Sequence, residues 1–221
     1  MTDLNAVLTN ADGDFDNSLG RLFQLVRIPS ISTDPAHNAD CETAARTIVA
    51  DLKSLGFEAE VRETPGRPMV VANYTPKTAT KSTPHVLFYG HYDVQPADPL
   101  DLRNTPPFEP VRRKDADGVE RMYGRGTADD KGQFYMHVKA IEAMVKSDGL
   151  PCNVKVMIEG EEEVGSDNLG LFVAANKDRL KADVVLISDT SMIANDVPSI
   201  NTCLLYTSPS PRDRTRSRMP S

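Results

Sequence analysis

Apolar residues recur along this chain at two spacings, and the switches between them predict its elements. Over residues 14–26, Phe15, Leu19, Leu22, Phe23 and Val26 fall on one helical face, and Pro29 ends that helix. A second helix is predicted from about Cys41 to Leu55, with Ala45, Ile48, Val49, Leu52 and Leu55 inward and Gly56 as its stop. Residues 57–62 alternate as a strand does, and residues 69–74 read as another. The run His85-Val86-Leu87-Phe88-Tyr89 predicts a buried strand. A hairpin is expected over residues 111–123, turning at Asp115-Ala116-Asp117-Gly118. A helix carrying Phe134, Val138, Ile141 and Val145 follows, stopped by Gly149 and Pro151. Next come a strand over residues 153–158, a helix from about Asn168 to Asn176, and a strand over residues 182–187. Residues 1–12 read as a polar lead-in, 28–39 as a polar loop, and 95–110 as irregular. The order strand, helix, strand predicts an α/β fold with at least part of its sheet parallel.

The ends of these elements carry the candidate chemistry. His91 and Asp93 follow the strand at 85–89, and two residues apart on an extended chain they project to the same side. Glu162 and Glu163 follow the strand at 153–158, Asp129 precedes a helix, and Asp189 closes the strand at 182–187. In open α/β sheets, ligands bind outside the carboxyl ends of the strands. Carboxylates gathered there repel unless a cation holds them together. One histidine with several carboxylates suits Zn²⁺, Co²⁺ or Mn²⁺ better than Ca²⁺, which takes more oxygens and no imidazole. Two metals would need a bridging carboxylate, terminal ligands on each, and a base beside the attacking water. Taken singly these residues have ordinary readings. A histidine after a strand is commonly a hydrogen-bonding residue, and Glu161-Glu162-Glu163 is commonly a solvated turn. Their joint placement at element ends carries the argument. Gly124-Arg125-Gly126 is no phosphate loop, because Lys131 is followed by Gly132 rather than Ser or Thr, and no HExxH occurs.

Composition narrows the setting. The chain has 221 residues, 39% of them hydrophobic and 26% charged, which suffices for a real core. A net charge of −7 argues against a nucleic-acid partner. Cys41, Cys152 and Cys203 form no CxxC pair and read as reduced thiols, which points to the cytoplasm. No basic-then-apolar leader opens the chain, and no apolar run reaches membrane-spanning length, so no membrane partner is expected.

Four ordered motifs carry a resemblance. They are Gly90-His91-Tyr92-Asp93-Val94-Gln95-Pro96, Gly124-Arg125-Gly126-Thr127-Ala128-Asp129-Asp130-Lys131-Gly132, Glu162-Glu163-Val164-Gly165-Ser166 and Ile187-Ser188-Asp189. Over roughly residues 14–200 the chain resembles the dinuclear zinc peptidase family of carnosinase-type dipeptidases, carboxypeptidase G, aminoacylase and succinyl-diaminopimelate desuccinylase. The His-Tyr-Asp-Val-Gln-Pro form is most similar to the dipeptidase branch. The resemblance implies a three-layer, zinc-aminopeptidase-like α/β domain with a mainly parallel, mixed sheet. It implies that His91 and Asp189 ligate a first metal, Asp129 bridges both, Glu163 holds the second, and Glu162 is the general base. It also implies that Asp93 orients His91 and that a cis peptide joins Asp129 to Asp130. Two Zn²⁺ are implied, with Co²⁺ or Mn²⁺ as alternatives, and the reaction is hydrolysis of the amide bond of dipeptides or related small peptides. The alternative is an N-acyl amino acid deacylase of the same family.

The resemblance also bears on extent. Residues 1–195 are expected to be the N-terminal part of the catalytic domain and 196–201 the start of a lid and dimerisation domain. Residues 202–221, rich in Ser, Pro and Arg, are expected to be a disordered, non-native tail. On this reading the chain is truncated before the lid and lacks the histidine of the second metal. It is then expected to bind one metal or none and to be inactive as written, whereas the full-length protein is expected to be a homodimer.

Overall fold

The computed structural model describes residues 3–147, 149–192, 194 and 197, and its first element is one that the sequence pattern does not predict. Helix α1 (Leu4–Gly13) stands where a polar lead-in is expected. Asp3 caps it by accepting the N–H groups of Asn5 and Ala6, and Asn10 Nδ2 ties it to Ser147 Oγ at 2.7 Å. Only Val7 is buried while Leu4 and Leu8 are exposed, so no apolar stripe marks the helix in the sequence. Helices α2 (Phe15–Val26) and α3 (Asn38–Ser54) follow, the latter starting ahead of its expected position. Strands β1 (Glu58–Arg62), β2 (Met69–Tyr74) and β3 (His85–His91) come next, then the hairpin β4 (Val111–Lys114) and β5 (Glu120–Tyr123). Helix α4 (Lys131–Val145), strand β6 (Asn153–Glu159), helices α5 (Leu169–Ala175) and α6 (Lys177–Leu180), and strand β7 (Val184–Ile187) complete the order.

The main sheet has the order β1-β2-β6-β3-β7, and β4 and β5 form a separate ribbon. β3 pairs in parallel with β6 and β7, while β2 is antiparallel to β1 and β6. Four of the five strands therefore run one way and β2 alone runs against them, the mainly parallel mixed sheet that the resemblance implies. Register then aligns the chemistry. His91 lies opposite Glu159, and Tyr89 lies opposite both Met157 and Ile187. The turns that leave β3, β6 and β7 thus open at one edge.

Helices cover both faces. Val70, Val156 and Ile158 pack with Leu25, Leu52 and Phe134 of α2, α3 and α4. Met69, Val71, Leu87 and Met157 pack with Phe172 and Leu180 of α5 and α6. Successive residues of β2 face opposite layers and those from Met69 to Ala72 are all apolar and buried, which is why the strand opens as an apolar run. The chain divides into a unit ending at Asp189 and a second from Thr190 on. In the second, the described pairing is Ala194 with Val197. The expectations for residues 198–221 lie outside the described residues.

The helical layer holds one buried ionic cluster. Glu142, with a side chain only 5% exposed, receives Arg21 Nη1 at 2.9 Å and the ammonium groups of Lys139 and Lys146 at 2.6 Å each. Burial alone would raise its pKa, but the hydrogen bonds from Lys139 and Lys146 outweigh it and hold the carboxyl below its usual range. A depressed folded-state pKa contributes stability above the unfolded value, and that contribution is lost as pH falls through the folded one. Glu142→Gln is expected to cost about 1–2 kcal/mol at neutral pH, since its three cations reach solvent once released. Urea unfolding should show that gap closing as pH falls below the ordinary value of 4.5. A gap unchanged in acid would contradict the assignment.

Candidate metal centre

His91 ends β3 with its ring wholly buried, and each ring nitrogen faces carboxylate. Nδ1 lies 3.1 Å from the backbone oxygen of Asp93 and 3.3 Å from Asp93 Oδ1. Nε2 faces the opposite way, 3.0 Å from Asp129 Oδ1, 3.7 Å from Asp189 Oδ2 and 3.9 Å from Glu162 Oε2. One ligand atom from each of His91, Asp129 and Asp189 lies within 4.8 Å of the other two. Burial pushes the His91 pKa down, but the hydrogen bond and charge of Asp93, with Asp130 and Glu162, outweigh it and raise it to about 10. Carboxylates on both sides of the ring call for positive charge between them.

Asp93 is fully buried and accepts Ser32 Oγ at 2.6 Å and the N–H groups of Glu162 and Glu163 at 3.3 and 3.1 Å. Asp129 precedes α4, and its peptide bond to Asp130 is cis, as the resemblance implies. Glu162 lies in a short 3₁₀ turn after β6, which closes through Gly165 at φ 100° and Ser166 at φ 55°, both left-handed. Burial, reinforced by Glu163 and Asp189 and opposed by His91, raises the Glu162 pKa. Glu163 lies apart from the three-residue cluster, its Oε2 accepting Gln95 Nε2 at 2.8 Å. Its pKa is likewise raised, first by burial.

Several residues here carry no signal in the sequence pattern. Asp130 is buried, and its Oδ2 accepts the N–H of His91 at 2.9 Å. Burial pushes the Asp130 carboxyl up to about 7. Gly90 makes room for it, since a Cβ there would stand 2.6 Å from Asp130 Oδ2. Lys131 is buried too, and its Nζ donates to Leu25 O at 3.1 Å, in the last turn of α2, and to Ile28 O at 2.7 Å, just past it. Glu159 is buried and accepts the Tyr89 hydroxyl. Asp130 and Lys131 stand within a quoted motif and Glu159 shortly before one, yet nothing in their spacing says that they point inward.

One imidazole nitrogen and two carboxylates converging on one point, with the other nitrogen held by an acceptor, is a donor set that fits a transition metal such as zinc. Residues 87–201, just over half of the chain, match the model of peptidase family M20/M25/M40. The chain belongs to this family. It is 34% identical over 185 residues to the cysteinylglycine-S-conjugate dipeptidase of Corynebacterium striatum, a match covering 83% of this chain and 39% of that protein. Among solved M20 structures, dipeptidase Dug1p from Saccharomyces cerevisiae superposes with a TM-score of 0.77 at 29% identity, over 87% of this chain and 42% of that one. Human carnosine dipeptidase 1 does so with a TM-score of 0.77 at 30% identity, over 86% and 42%. The chain spans about two-fifths of the length of the curated relatives it matches. M20 peptidases are metal-dependent hydrolases, in keeping with the donor set at His91.

Proposed function

We propose that the whole protein is a dipeptidase that hydrolyses the amide bond of a small peptide with two zinc ions, cobalt or manganese being alternatives. The observation that carries this reading is the convergence of Asp129, Asp189 and Glu162 on His91 Nε2 at the carboxyl edge of the sheet. His91 and Asp189 would hold a first ion, Glu163 a second, and Asp129 would serve both. Bound there, zinc supplies a Lewis acid for the scissile carbonyl and acidifies an attacking water towards neutrality. Glu162 takes the proton from that water and returns it to the leaving amine, so that amide and water become acid and amine. Asp93 holds the Nδ1–H side of His91 and leaves Nε2 free to ligate. Relatives named as dipeptidases support a dipeptide over an N-acyl amino acid. Cys41 and Cys152 are free thiols, in keeping with a cytoplasmic setting.

Zinc titration of the chain, read by equilibrium dialysis and elemental analysis, tests the reading. The His91 side is expected to fill first, because three ligands converge there while Gln95 engages Glu163. His91→Ala should weaken zinc binding by about a hundredfold or more. Zinc content unchanged in that variant would refute the ligand set. Turnover of N-acyl amino acids in preference to dipeptides by the whole protein would refute the substrate.

A further inference from the structure

The segment Ile28-Pro29-Ser30-Ile31-Ser32 contributes nothing to the proposed chemistry, yet it lies against the centre. Ile31 pairs in parallel with Val94, Val94 N–H donates to Ser30 O at 3.0 Å, and Ser30 Oγ donates to Tyr92 O at 2.7 Å. That pairing delivers Ser32, 6% exposed, to the buried carboxylate of Asp93. From there hydrogen bonds and chain close a ring. Ser32 Oγ donates to Asp93 Oδ2, and Asp93 accepts the N–H groups of Glu162 and Glu163. The preceding residue, Glu161, accepts the backbone N–H of Arg67 on Oε1 at 3.0 Å, and its Oε2 accepts Asn168 Nδ2 at 2.8 Å. The Arg67 guanidinium then donates to Ser32 O at 2.8 Å. Gly66 permits the approach, since a Cβ there would stand 1.6 Å from Glu161 Oε1.

We infer that Ser32 and Arg67 are positioning residues that fix, through Asp93, both the His91 ring and the turn bearing Glu162. A carboxylate has about four lone-pair sites. Asp93 spends one on Ser32, two on the turn's backbone and one facing His91 Nδ1, all in a buried place where a lost donor is not replaced by solvent. The Ser32 bond, at 2.6 Å, is the shortest of the four. Without it the carboxylate is free to turn, and ring and turn loosen together. Neither residue touches the ligand atoms, so their effect runs through Asp93.

The inference rests on the metal reading for its consequence but is testable apart from it. In the metal-free chain, proton NMR reports the exchange of the His91 Nδ1–H and of the Glu162 and Glu163 amides with water. Ser32→Ala should speed all three by about tenfold and weaken zinc binding by about tenfold. Arg67→Met keeps the backbone N–H on Glu161 and removes only the guanidinium, so it should shift the same signals in the same direction by less. Ser30→Ala deletes a buried hydroxyl of the same segment that binds backbone rather than Asp93. It should leave the three protons within about twofold of wild type, whatever it does to the melting temperature. Equal effects of Ser30→Ala and Ser32→Ala, or no effect of Ser32→Ala on the three protons, would overturn the assignment to Ser32. Silence of Arg67→Met would remove Arg67 from it. A wild-type chain that takes up no zinc would defeat the metal reading instead, with the proton exchange still deciding Ser32.

Discussion

Glu162→Gln should lower dipeptide turnover by about a thousandfold while zinc content stays at the wild-type level. Glutamine keeps the shape of the side chain and cannot take a proton. The carboxyl stands 3.9 Å from His91 Nε2, on the side where Asp129 and Asp189 gather. Its neighbours set it apart from those acids. Burial and the charges of Glu163 and Asp189 raise its pKa against the opposing pull of His91. A raised carboxyl is the better match to a base working near neutrality. The backbone of Glu162 is held by Asp93, so the substitution leaves the turn in place. Any preparation of the protein that hydrolyses dipeptides serves for the assay, with elemental analysis alongside. A Gln variant that retains a tenth or more of the rate would exclude Glu162 as the base. Loss of metal together with rate would make it a ligand.

The contrast between Glu162 and Glu163 shows how far the chain can be read before it is folded. Apolar runs that lead to His91, to the turn bearing Glu162 and to Asp189 are legible because neighbouring parallel strands place their ends at one edge, although β7 itself is exposed. Which acid of a consecutive pair turns toward His91 is not legible, because it depends on the 3₁₀ turn and the left-handed pair Gly165-Ser166. Glu163, proposed for the second metal, accepts Gln95 Nε2, a residue that the sequence marks only as part of the dipeptidase-branch motif. The support around the centre is hidden for a further reason. Ser32 reaches Asp93 from 61 positions away, Arg67 reaches Glu161 from 94, and Lys131 reaches Leu25 from 106. Periodicity reports what a residue does within its own element and is silent on which loop returns to which turn. Helix α1 escapes for a local reason, with one buried apolar residue and a capping aspartate in place of a stripe.

Gly160→Ala should destabilise this chain by about 3 kcal/mol. Gly160 follows β6 directly, and a Cβ there would stand 2.1 Å from Tyr92 Oη and 2.2 Å from Tyr92 Cζ. Tyr92 has nowhere to go. Its ring is fully buried in the main core, its hydroxyl donates to Pro68 O at 2.8 Å, and its own N–H donates to Glu159 O at 2.8 Å. Either the ring leaves its place and surrenders a buried hydrogen bond, or the turn after β6 moves away and draws Glu162 and Glu163 off Asp93. Both routes cost stability, by overpacking or by an unpaired buried carbonyl. For a chain of this length the loss corresponds to roughly 10 °C in melting temperature. Tyr92→Leu, which removes the far edge of the ring, should cost stability alone but absorb most of the Gly160→Ala penalty in the double variant. The two changes are expected to be far from additive because they share one contact. Thermal unfolding of the four proteins measures this directly. Additive losses, or a Gly160→Ala variant melting with wild type, would show that the turn bearing Glu162 is not held against Tyr92.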